Sequence, residues 1–139
     1  MLNLIKIRQK FDSTCIENIR EATLQELNSL KLDLPAGSKI AITAGSRGID
    51  RIPEVLKAVV DYVRQKNCEP FIVPAMGSHG GATAEGQTKM LKELGITPET
   101  VGAPVLASMD TVAVGSIDTS DCSGKLGERL EIHMIVPGT

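Results

Sequence analysis

Apolar positions along the chain alternate between short continuous runs and runs spaced at three and four residues. Leu2, Leu4, Ile5 and Ile7 form a short apolar opening that predicts a strand. From Ser13 the spacing turns helical: Ile16, Ile19, Ala22 or Thr23, Leu27 and Leu30 fall on one face, with Ser13 or Thr14 as the candidate N-cap. Residues 34–38 read as a turn, and residues 39–44 have the length and apolar content of a buried parallel strand. A second helix begins after Gly45-Ser46-Arg47-Gly48, with Pro53 in its first turn, where a missing N–H is harmless. Its inner stripe is Ile52, Val55, Leu56, Val59 and Val63. Residues 70–75 predict a strand, 76–82 a glycine-rich loop, 83–94 a third helix, and 101–108 and 111–117 two further strands. Residues 118–127 are polar and read as a loop. Leu130, Ile132, Met134 and Val136 then alternate with Glu131, His133 and Ile135 in a half-exposed strand ending at Pro137-Gly138-Thr139.

Strands alternating with helices of this length predict an α/β fold, an open, mostly parallel Rossmann-like sheet with helices on both faces. The organisation expected is an α/β domain over 1–117, then a loop and terminal strand over 118–139. No helix follows that strand to close the layer, the pattern of a truncated domain.

The 139 residues are 42% hydrophobic and 23% charged, which suits one domain with a packed core and excludes a disordered chain. No apolar run reaches the roughly 18 residues of a membrane-spanning helix. Lys6 and Arg8 interrupt the opening segment too early for a secretory signal, so a cytoplasmic location is expected. The formal net charge of −2 lacks the basic footprint of a nucleic-acid binder, and Phe11, Tyr62 and Phe71 are too few for a base-stacking platform. Neither nucleic acid nor a membrane is an expected partner. Cys15, Cys68 and Cys122 contain no Cys-x-x-Cys pair, and they read as reduced thiols rather than a disulfide framework or a zinc site.

In an open α/β sheet, ligands gather beyond the carboxyl ends of the strands. Two glycine-rich loops occupy such positions. In Ala44-Gly45-Ser46-Arg47-Gly48, Gly45 lets the backbone turn its N–H groups toward an anion, and Arg47 offers a planar fork for a carboxylate or phosphate. The bland alternative is a strand-to-helix turn with a solvated arginine. The second loop, Ala75-Met76-Gly77-Ser78-His79-Gly80-Gly81-Ala82-Thr83, places one of the two histidines at a strand end. His79 is a candidate for giving or taking a proton at neutral pH, and the alternative is a surface loop histidine. Ser46 and Ser78 flank these groups as substrate-binding candidates, and Gly77, Gly80 and Gly81 as anion-binding backbone. No Gly-Lys-Ser/Thr follows the glycines, so this is not a P-loop. Ser78 and His79 are chain neighbours and do not form a nucleophile–base pair with each other. His133 lies mid-strand and reads as structural.

Gly45-Ser46-Arg47-Gly48-Ile49, and above all the block from Pro70 through Met76-Gly77-Ser78-His79-Gly80-Gly81-Ala82-Thr83 to Gln87, resemble the N-terminal domain of the lactate racemase family. These are the nickel-pincer-nucleotide 2-hydroxyacid racemases and epimerases, and the resemblance covers roughly residues 1–117. It implies that the cofactor takes up the α-hydrogen as hydride while the substrate hydroxyl loses its proton to a histidine. His79 matches the first catalytic histidine and Arg47 the arginine on the substrate carboxylate. Ala44-Gly45-Ser46-Arg47 stands where lactate racemases proper carry Asp-His-Thr-Arg, which points to another 2-hydroxy acid.

The family's second histidine, its nickel ligand and its cofactor-binding lysine have no counterpart before Thr139. The resemblance therefore implies a chain that is inactive alone, holds neither metal nor cofactor, and needs a C-terminal domain or partner subunit. Edges exposed by the missing part would allow self-association. The alternative is a stand-alone carboxylate- or phosphate-binding α/β module without catalysis.

Overall fold

Lys39–Ala44 (β1) and Glu69–Pro74 (β2) pair in parallel, with Lys39 opposite Glu69 and Ala44 opposite Pro74. This is a computed structural model, and it describes residues 5–118 and 129–135. On the far side of β2 the chain returns as a single parallel bridge between Ile72 and Val105, where Ile72 N–H donates to Pro104 and Leu106 N–H donates to Ile72. Thr111–Asp118 (β3) and Arg129–Ile135 (β4) form a separate antiparallel pair. The fold is thus mixed α/β, with one small parallel sheet and one hairpin-like sheet. The strand expected to close the first domain pairs with the strand expected in the terminal segment.

Between β1 and β2 runs Ile52–Gln65 (α2), which packs on both strands, on Ile19–Ser29 (α1) and on Pro98–Val101 (α4). The expected stripe is too narrow for that environment. Ala58, Val60 and Tyr62 are buried along with Ile52, Leu56 and Val63, while Val55 and Val59 are half-buried. Ala84–Glu93 (α3) contributes Leu91. Ile42, Ala44, Leu56, Val60, Ile72, Leu91, Ile96 and Val101 belong to one core cluster. Lys39, Ala41 and Thr43, on the other side of β1, are exposed. The expectation of helices on both faces is corrected at β1, where the described residues cover one face.

Three local expectations also differ. Ile5 and Ile7 are exposed in an irregular segment, because no strand among the described residues pairs with it; Leu2 and Leu4 lie outside the described residues. Helix α1 starts at Ile19 rather than near Ser13. Asp12 accepts from both the N–H and the hydroxyl of Thr14, at 2.9 and 2.6 Å, and the cap falls instead to Asn18, which accepts from Glu21 N–H. Residues 101–108 are not a strand. Thr97, the N-cap before Pro98, and Thr100 inside the helix form a capping box, and Gly102 closes α4 with φ 79°, so Val101 is helical and only Val105 pairs. Cys15 is exposed and Cys68 buried, both free; Cys122, the 119–127 part of the expected loop and Val136 lie outside the described residues.

Candidate functional site

The register of β1 on β2 brings two loops out at one level. Ala44 and Pro74 are opposite each other, and Ala75 N–H donates to the Ala44 carbonyl at 2.8 Å. Ser46 follows two residues after the first strand and His79 five after the second. Their side chains meet: Ser46 Oγ lies 2.6 Å from His79 Nδ1. A serine from the other loop, not the neighbouring Ser78, is the hydroxyl that reaches the ring.

The His79 loop is held from below. Met76 is buried, and its carbonyl accepts from His79 N–H at 3.2 Å. Gln87, the one buried polar side chain among the described residues, donates from Nε2 to the Gly77 carbonyl at 2.8 Å. His79–Ala82 forms a short 3-10 turn in which Gly80, Gly81 and Ala82 all have positive φ. Thr83 ties that turn to α3, accepting from Gly86 N–H at 3.0 Å and donating to the Gly80 carbonyl at 3.2 Å. Thr83→Ala removes both bonds and is expected to destabilise the fold by about 1 kcal/mol, read by denaturant unfolding, with Thr83→Ser close to wild type.

Together the loops enclose a cleft of about 350 Å³. Gly45, Ser46 and Arg47 line it from one side and Gly77 and His79 from the other, with Ile49, Ala75 and Met76 supplying apolar wall. Arg47 and His79 are exposed, and Ser46 and Gly45 are half-buried. The neighbouring Arg51 is committed elsewhere, its guanidinium paired with Glu54 at 2.6 and 2.8 Å. That hydrogen-bonded pairing holds the Glu54 carboxyl below its usual range. Among the described residues, Arg47 is thus the guanidinium that lines the cleft. A cation, a hydroxyl and an imidazole on one small cleft can hold a carboxylate and move a proton at an adjacent oxygen.

Ser78, Gly80 and Gly81 are outside the cleft walls; Ser78 precedes the 3-10 turn and the two glycines form it. His133 sits in β4 opposite Ala113, in the other sheet. Sequence reasoning missed Gln87 and Gly86 as the groups that support the loop. Gln87 recurs one helical turn before Leu91, a core-facing spacing that marks it in retrospect.

Among the described residues no three of His, Cys, Asp and Glu come together to hold a metal ion. No helix among them is long and apolar enough to cross a membrane. Comparison with known proteins finds no family model, no curated protein and no solved structure that matches this chain.

Proposed function

We propose that this chain is the N-terminal, substrate-side domain of a 2-hydroxyacid racemase or epimerase of the lactate racemase family. The observation that carries the reading is the meeting of Arg47, Ser46 and His79 on one cleft. Arg47 takes the substrate carboxylate with two parallel N–H donors, which fixes the acid's orientation. His79 accepts the proton of the α-hydroxyl and returns it. The cleft suits a compact hydroxy acid, and the Ala44-Gly45-Ser46-Arg47 segment favours one other than lactate.

The nickel-pincer nucleotide does not fit the donor set of this cleft. Among the described residues, the cleft walls contain no lysine, no cysteine and no histidine besides His79. The hydride half of the family reaction is therefore assigned to a C-terminal domain or partner subunit, and the chain alone is inactive. On the same reading, β1, β2 and the Val105 bridge belong to an open, mostly parallel Rossmann-like sheet in a cytoplasmic protein. Its ligand is a small acid rather than nucleic acid or a membrane surface. Exposed Ile5, Ile7, Phe11, Val112 and Val114 support self-association of the isolated chain.

The test combines the chain with the separately prepared, cofactor-loaded C-terminal half of a 2-hydroxyacid racemase. Exchange of the α-hydrogen of a panel of 2-hydroxy acids is then followed. The expected result is exchange with both parts and none with either alone. Arg47→Ala is expected to raise KM at least tenfold, the loss of a charge-assisted bidentate contact worth about 1.5–3 kcal/mol. Micromolar binding of hydroxy acids or phosphates by this chain alone, without exchange in the mixture, would instead establish the stand-alone binding module.

A further inference from the structure

Resting on the reading of His79 as the proton-transfer group, we infer that Ser46 is a positioning residue. It holds the imidazole by Nδ1 and leaves Nε2 as the nitrogen that exchanges the proton with substrate. Ser46 Oγ is 2.6 Å from Nδ1, at the short end for an uncharged contact. The other end of the side chain is fixed as well, because His79 N–H is bonded to the carbonyl of buried Met76. The ring is thus anchored through its backbone and through one nitrogen. Nε2, at the opposite corner of the imidazole, is the position left for a ligand.

A hydroxyl is suited to this task in a way a carbonyl is not, since it both donates and accepts. With Nδ1 protonated, Ser46 accepts from it, and Nε2 presents a lone pair to the substrate hydroxyl. The proton then leaves the substrate oxygen and the O–H bond breaks as the Nε2–H bond forms. The imidazolium keeps its Nδ1–H bond to Ser46 throughout. On return, Nε2–H gives the proton back to the same oxygen, so the ring need not turn between steps. Ser46 thus acts through His79 and is not assigned to the substrate carboxylate, the role its place beside Arg47 first suggests.

The chain contains two histidines, so its ring nitrogens can be resolved by NMR of the full chain labelled with 15N-histidine, with His79→Gln identifying each signal. Ser46→Ala is expected to move the His79 Nδ1 resonance toward that of a free imidazole and leave His133 unchanged, while Ser46→Thr restores it. Unchanged His79 nitrogens in Ser46→Ala would overturn the inference. In the reconstituted exchange assay, Ser46→Ala is expected to lower kcat about 10–100-fold with KM little altered, as for a misplaced catalytic group, and Ser46→Thr to recover it. A raised KM with intact kcat would place Ser46 on the substrate and also overturn it. Full exchange activity in His79→Gln would end the reading of His79 as the proton-transfer group, yet the NMR comparison would still decide whether Ser46 holds the ring.

Discussion

His79→Gln is expected to reduce α-hydrogen exchange by about 10²–10⁴-fold in the reconstituted system, the range a positioned acid–base group contributes. Glutamine keeps a polar side chain that can bond Ser46 but cannot take up a proton at neutral pH. His79 is exposed, so the substitution should leave stability within about 0.5 kcal/mol of wild type. The loss would therefore be chemical rather than structural, which equal unfolding curves for the two proteins would verify. Arg47→Ala behaves differently on the same reading, because a carboxylate clamp acts mainly on KM whereas a proton carrier acts mainly on kcat. A His79→Gln protein with wild-type exchange would remove His79 from the chemistry and leave the cleft a binding site.

Where apolar pattern alone decides structure, the sequence was legible. β1 matches its expected span, and β2 and α3 fall within a residue of theirs, because each is bounded by glycine, proline or a capping threonine. What the sequence hid was decided by competition for hydrogen bonds and by partners distant in the chain. Thr14 looked like a cap, but Asp12 takes its hydroxyl. Val101 looked like a strand residue, but the Thr97 box and Gly102 enclose it in a helical turn. The opening run resembled a strand, yet a strand exists only where another edge accepts it, and Ile5 and Ile7 have none among the described residues. For the site, position at the strand ends was readable for Arg47 and His79, since glycine loops after two parallel strands converge there. The Ser46–His79 contact was not, because it depends on the register of β1 against β2, which no local pattern specifies.

Gly86→Ala is expected to destabilise the protein by about 3 kcal/mol or more, the opposite of what a helical glycine normally predicts. In the interior of an ordinary helix, alanine is favoured over glycine by about 0.5–1 kcal/mol. Here a Cβ on Gly86 would overlap the Gly80 carbonyl oxygen and stand 2.7 Å from its carbon and 2.9 Å from Thr83 Oγ1. The approach is reciprocal, since a Cβ on Gly80 would lie 2.6 Å from Gln87 N. These neighbours are largely backbone, which cannot rotate aside, so α3 or the 3-10 turn must move. Movement of the turn would carry Gly77 away from Gln87 and His79 away from Ser46. Gly86→Ala should therefore lower Tm by about 10 °C and also shift the His79 ring signals as Ser46→Ala does. Gly81→Ala is the control, because its Cβ would meet nothing within 4 Å and only its positive φ opposes it. That strain amounts to about 1–2 kcal/mol. If Gly86→Ala proved as mild as Gly81→Ala, the two backbones would not be in contact, and the loop would owe its shape to Gln87 and Thr83 alone.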